Sequence, residues 1–284
     1  MPNVLAHFGV QGGLTRSIWR YADPRWIYLG CVIPDLPWIL RKATRVVAPA
    51  SVNAYDHWLY AHIQSSLFFS LILCACFALF SAAPRRVFLI LGLNALLHLL
   101  LDALQTKWGN GVNLLAPISW DLWNVGLFWI DSLVTYLLTL LGLGVIAWEL
   151  VRRRGVPTPL CFRPLALLAL ALWVVGPLLF LDAAEEGAGH PIRTLRRVAF
   201  RTGKEIELDR PSYVYAKTGD RLRIFSGEVF LVQTSVLCHD ATVSIRAVFE
   251  SPMVLRIIEI RDHSGFNRDL PSYLGLFLLA VLWL

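Results

Sequence analysis

The feature that most limits what this chain can become is a series of long apolar stretches almost free of charge. Residues 65–82 form an 18-residue run with no charge, closed by Pro84-Arg85-Arg86. Residues 87–104 form a second, broken only by Asn94, His98 and Asp102. Residues 125–148 hold Asp131 as their sole acid before Arg152-Arg153-Arg154, and residues 165–181 are uncharged. Residues 273–284 are apolar but shorter than the ~20 residues a membrane-crossing helix needs. In a bilayer every backbone N–H and C=O must be satisfied within the protein, so runs of this length read as crossing helices. Residues 27–40 carry Pro34, Asp35 and Pro37, which argues for a partly inserted segment shielded by other parts of the chain.

Charge gathers in the gaps between runs. Only 16% of residues are charged, against roughly 25% in a soluble domain. The net charge of +6 comes mainly from arginines beside the apolar runs, and no basic-aromatic interleaving suggests nucleic acid. Arg85 and Arg86 lie in one turn; Arg152, Arg153, Arg154 and Arg163 lie in another two runs later, hence on the same face. The intervening loop, 105–124, carries only Lys107 as a basic residue. Positive-inside bias places the arginine turns in the cytoplasm. Against this stand Arg16, Arg20, Arg25, Arg41, Lys42 and Arg45, which precede the first full run and count toward the opposite face. The five cysteines show no disulfide or zinc spacing, and Cys74 and Cys76 read as packing residues.

From about residue 183 to 270 the pattern changes. KEIEL, RLRIF, EVFLVQTS, TVSIRAVF and MVLRIIEIR alternate apolar and polar residues between turn signals such as Asp209-Arg210-Pro211 and Thr218-Gly219-Asp220. The expected fold is a mostly α, polytopic membrane helical bundle of about 4–5 spans. Inserted into it is a small antiparallel β domain, an OB-like barrel or a sandwich. The expected divisions are a helical domain over 1–182, the β domain over 183–270 and a C-terminal membrane helix over 271–284.

The chemistry concentrates in the first 110 residues. His98 and Asp102, four apart, share one helix face and can offer two ligands to one ion. His7, Asp35 in GCVIPDLP, and His57 and His62 in DHWLYAHIQSS join them as candidates. Two antiparallel helices joined at Pro84-Arg85-Arg86 bring His62 to the same end as His98 and Asp102. Histidine and carboxylate ligands suit Zn²⁺, Mn²⁺ or Fe²⁺. An ion so held lowers the pKa of bound water and polarises an ester or phosphoryl oxygen. Lys107 reads first as a helix-end lysine anchored at the interface, and second as a stabiliser of an anionic substrate. His190, His239 and His263 read as surface or turn residues of the β domain, and Cys238-His239-Asp240 as an ordinary turn.

Taken in order, these segments resemble the bacterial inner-membrane, predicted metal-dependent hydrolases. That pattern runs from an early His through G-x-x-x-PD, H-R-x-x-T-H-S and H-x-x-x-D to a glycine loop ending LL-x-P. Here it reads His7, GCVIPD ending at Asp35, HWLYAHI over 57–63, HLLLD over 98–102 and GNGVNLLAP over 109–117. The resemblance covers about residues 1–150. It implies metal ligation by His7, Asp35, His57, His62, His98 and Asp102. The Arg, Thr and Ser of H-R-x-x-T-H-S are replaced by Trp58, Ala61 and Ile63, so the groups around the histidines differ. A looser similarity to zinc-dependent phospholipase C implies phosphoesters as substrate.

The expected activity is that of a membrane-bound, metal-dependent hydrolase. It would act on a small or lipid-linked ester or phosphoester, with His62, His98 and Asp102 as catalytic residues and zinc as the foremost cofactor. Membrane lipid is the expected partner, and the site and β domain are expected on the outer face. A scaffold with a structural metal and a partner-binding β domain is the alternative. Transport through Asp131 and Asp102 is the weakest, because no inverted repeat is visible.

Overall fold

The computed structural model describes residues 3–47, 53–152, 155–187, 191–217, 219–234, 236–265 and 269–284. Arg153, Arg154, His190 and Thr218 lie outside the described residues.

The chain opens with two short helices forming a hairpin. Asn3 caps α1 (Val4–Ile18) by accepting the Ala6 N–H, and Asp23 with Pro24 opens α2 (Pro24–Val32). A 3-10 turn, Ile33–Asp35, carries the chain into α3 (Leu36–Val47), whose only buried residue is Pro37. The first long apolar run is not one straight helix. It is α4 (Ala54–Gln64) and α5 (Leu67–Ala78), bent by 67° where Ser66 caps the second piece. Then come α6 (Pro84–Ala103) and α7 (Leu133–Arg152). Next is α8 (Leu165–Val175), which passes through a 3-10 turn into α9 (Leu181–Gly187). Three described helices are long and apolar enough to cross a membrane: Pro84–Ala103, Leu133–Arg152 and Leu165–Gly187; the bent α4–α5 pair makes a fourth if counted as one span.

The third run is shorter at its start than its hydropathy implies. The helix begins at Leu133, and Asp131 sits before it, pairing with Arg261 of the β domain at 3.1 Å. α1 runs parallel to α7, with Asn3 bonded to Thr139 and Arg16 paired with Glu149 at 2.5 Å. Glycines make this closeness feasible: a Cβ on Gly9 would meet Gly142 N at 2.7 Å. Arg25 reaches the Thr158 carbonyl. Arg16 and Arg25 therefore lie at the end that holds the 152–163 loop, not at the end of Asp35. The expectation that they stand on the other face is corrected, because α1 and α2 together cross the depth of the helical domain and return.

After α10 (Pro191–Arg196) come β1 (Glu205–Leu208), β2 (Ser212–Val214), β3 (Arg221–Arg223), β4 (Val229–Val232), β5 (Ala241–Ser251) and β6 (Val254–Asp262). The ring closes as β2–β3–β4–β6–β5–β2, with β1 also paired to β5, so this is a barrel and not a sandwich. The pairing is not wholly antiparallel: β4 and β6 run parallel. Tyr213, Leu222, Phe230, Val243, Ile245, Phe249 and Leu255 fill its interior. α11 (Asp269–Trp283) returns to the helical domain, where Trp283 meets Trp26 edge-on and Gly275 lets the helix approach Val4.

The barrel sits on the loop that follows α6. Gly109, at φ +65, donates its N–H to Glu207, and a side chain there would strike the β1 backbone. Arg246 lies over the Trp108 ring, and Tyr55 of α4 bonds Glu228.

Candidate metal centre

Three elements deliver four side chains to one buried point. α1 carries His7, the Pro34-containing turn carries Asp35, and α6 carries His98 and Asp102 one turn apart. The two imidazoles are fully buried and stack with centroids 3.8 Å apart and planes within 5°. Stacking sets their Nε2 atoms side by side. His7 Nε2 lies 3.4 Å from Asp102 Oδ1, and His98 Nε2 lies 3.5 Å from Asp35 Oδ1 and 3.9 Å from Asp102 Oδ2. His7, His98 and Asp102 can each turn a ligand atom into a group no wider than 4.8 Å.

These atoms face one another without a hydrogen bond. His7 Nε2, His98 Nε2, Asp35 Oδ1 and Asp102 Oδ1 are all buried and unpartnered. His98 Nδ1 sits 2.6 Å from the Cys31 carbonyl. A carbonyl only accepts, so Nδ1 carries the proton and Nε2 presents a bare lone pair. His7 Nδ1 meets the Gln11 amide at 2.8 Å; with that amide turned so that its oxygen accepts, Nδ1 carries the proton and Nε2 is free to ligate. The separations are too long for hydrogen bonds, which fall near 2.7–3.2 Å. They match another geometry: donors each ~2.1 Å from a tetrahedral ion stand about 3.4 Å apart. Two buried carboxylates also need positive charge, since an uncompensated buried charge costs several kcal/mol. Lys107 Nζ, 3.3 Å from Asp102 Oδ2, supplies part of it. The group fits a divalent cation.

Of the residues singled out in the sequence, His7, Asp35, His98 and Asp102 come together. His62 is 2% exposed and stands beside them: it lines a cavity of about 40 Å³ with Asp102, Lys107, Asn110 and Gly111. Its polar neighbours are Asn113 and Lys107. His57 does not join. It lies five residues from His62 on α4, a rotation of roughly 140° at 3.6 residues per turn, and contacts Thr44 at 3.1 Å. Lys107 is not a snorkelling anchor; it is 7% exposed and turned inward. Gln11 was not singled out, although its i+4 spacing from His7 places it on the same face.

A second polar chain joins the barrel to the helical domain. His263, expected at the surface, is 5% exposed; its Nε2 meets Ser244 Oγ at 2.9 Å and its Nδ1 lies 3.6 Å from Asp131. The order Asp-His-Ser resembles a nucleophile triad. Ser244 is fully buried mid-strand and also donates to Asp209, so the chain serves docking. Burial lowers the His263 pKa, although Asp131 and Asp209 oppose it.

Compared with known proteins, the chain matches no family model, no curated protein and no solved structure.

Proposed function

We propose that this protein is a membrane-embedded, metal-dependent hydrolase of esters or phosphoesters, with His7, Asp35, His98 and Asp102 holding a divalent cation, zinc foremost. The observation that carries the reading is the convergence of four buried side-chain atoms without a hydrogen-bond partner, His7 with Asp102 at 3.4 Å and His98 with Asp35 at 3.5 Å, of which His7, His98 and Asp102 fit round one ion. A bound ion would lower the pKa of a coordinated water and polarise the substrate oxygen. The chain's own groups do the rest. Cys31 and Gln11 hold the imidazoles in place. Lys107, beside Asp102, is placed to meet negative charge that develops during hydrolysis. His62, across the small cavity, is placed to exchange a proton with water or leaving group.

Membrane location rests on the three apolar helices, two of which turn much of their surface outward: Leu133, Leu137, Leu140, Leu165, Leu168 and Leu172 are all exposed. Arg16, Arg25 and Arg163 gather at the end away from the site, so positive-inside bias directs that end to the cytoplasm and the barrel outward. An apolar groove between α3 and α11 reaches Asp35 and gives a lipid-linked substrate an approach. The test is hydrolysis of bis(p-nitrophenyl) phosphate by detergent-purified protein. Chelator-sensitive turnover that His98→Ala abolishes supports the reading. The closeness of the site, with a cavity of only about 40 Å³ beside it, favours the second reading, a scaffold with a structural metal. That reading predicts loss of stability on chelation with no turnover at any stage.

A further inference from the structure

The barrel and the helical domain border a half-open chamber of about 480 Å³. Three arginines reach it from three separate segments: Arg45 from α3, Arg210 from the corner between β1 and β2, and Arg223 from the end of β3. One carboxylate lines it, Asp209, and that is already engaged by Arg210 at 3.6 Å and Asn110 at 3.4 Å. Neither Arg45 nor Arg223 has an ion-pair partner among the described residues.

Two further features mark the chamber as built. Arg210 has φ 55, the one positive φ outside glycine among the described residues. Such a conformation is strained for a non-glycine residue and persists where the surroundings impose it. Arg41, one turn before Arg45, lies over the Phe225 ring that lines the chamber, and its Nε and Nη2 are buried without a hydrogen-bond partner. Burial, with Arg45 beside it, lowers that guanidinium to about 10. Arg41 and Arg45 thus lie near each other as like charges beside a cleft that Arg210 and Arg223 also line, an arrangement that an anion relieves.

The chamber adjoins the metal centre. Asn110 lines both it and the small cavity that holds His62, Lys107 and Asp102. We infer that the chamber is a subsite for a phosphate group of the substrate, gripped by Arg45, Arg210 and Arg223 while the bond to be cut lies toward Asp102. Arginine suits this task because its planar fork meets two phosphate oxygens at once. The inference rests on the hydrolase reading only for what happens after binding; the subsite itself does not require an ion.

The test is calorimetric titration of the full chain in detergent with glycerol 3-phosphate, and with glycerol as the uncharged control. A second arm uses nanodiscs of phosphatidylcholine with and without dioleoylphosphatidic acid. Both arms are run with and without chelator, and zinc content is measured on every sample. Binding of either phosphate probe, soluble or lipid, that survives chelation supports the subsite, and the responding arm identifies the source. Arg45→Gln with Arg223→Gln, both at exposed positions, should weaken binding by roughly tenfold per arginine and leave zinc content unchanged. Arg256→Gln, an exposed barrel arginine paired with Glu250, should change nothing. Equal affinity in the double variant, equal affinity for glycerol, or no response from either phosphate probe overturns the inference. Arginine-dependent binding in a protein that takes up no zinc would retain the subsite and refute the metal reading.

Discussion

Gly142→Ala tests whether α1 truly delivers a ligand. Gly142 touches neither His7 nor the ion site, yet it sets the distance between α1 and α7. A Cβ there would overlap the Leu5 carbonyl oxygen and stand 2.5 Å from its carbon, against 3.4 Å for ordinary contact, so the two helices must part by at least about 0.9 Å. His7 lies two residues beyond Leu5 and moves with it. Metal–ligand distances tolerate only ~0.2 Å, so His7 Nε2 leaves the ion. Disturbing even a group that orients a ligand costs roughly 10–100-fold in affinity, and losing the ligand should cost at least that. The assay is zinc affinity of detergent-purified protein by competition with a chromogenic chelator. Thermal unfolding is followed in parallel to confirm that the variant folds. Gly144→Ala is the control, because a Cβ there meets nothing within 4 Å. Wild-type zinc affinity in a folded Gly142→Ala protein would refute the claim that α1 positions a ligand.

Three other outcomes are expected. His98→Ala combined with Asp102→Asn should abolish stoichiometric metal. The stabilisation that saturating zinc confers on wild type, about 4 kcal/mol at a thousandfold over Kd, should vanish from its thermal unfolding. An impermeant maleimide applied to intact cells should label Cys238 and spare Cys161, which should react only after lysis. Both are exposed, one on the barrel and one at the arginine end, so the reverse pattern would invert the proposed orientation. Asp209 supplies a pH dependence. Burial alone would raise its pKa, but Arg210, Lys107 and Asn110 outweigh it and hold the carboxyl below its ordinary value. Its contribution is therefore complete above the unfolded value of about 4 and lost as pH falls through the depressed folded value. Asp209→Asn should flatten that acid limb in denaturant unfolding, and an unchanged limb would exclude Asp209 as its source.

The sequence made parts of this architecture readable because some patterns are local. His98 and Asp102 repeat at the helix period, so one face was certain once the helix was. Five strands announced themselves by alternation; β2 did not, because Tyr213, Val214 and Tyr215 follow one another with no polar residue between them. The α1–α2 hairpin escaped hydropathy because buried polar residues interrupt its apolar ones: His7, Gln11 and Thr15 are fully buried beside Leu5 and Phe8, and such residues read as surface in a linear scan. That concealed the placement of Arg16 and Arg25. Hydropathy places Asp131 in the third apolar run because its partners, Arg261 and His263, are 130 or more residues distant, and no local window sees them. The arginine chamber was equally hidden, since its three walls come from α3, a barrel corner and β3. His57 and His62 look equivalent in sequence, yet their angular separation on α4 already forbids both from facing one ion.

X-ray absorption at the zinc edge on the purified, zinc-loaded protein addresses the cation site itself. The account predicts a nitrogen and oxygen shell at ~2.0–2.2 Å, with the outer scattering of two imidazoles that disappears in steps with His7→Ala and His98→Ala. A sulfur shell, or a spectrum that neither substitution alters, would contradict it.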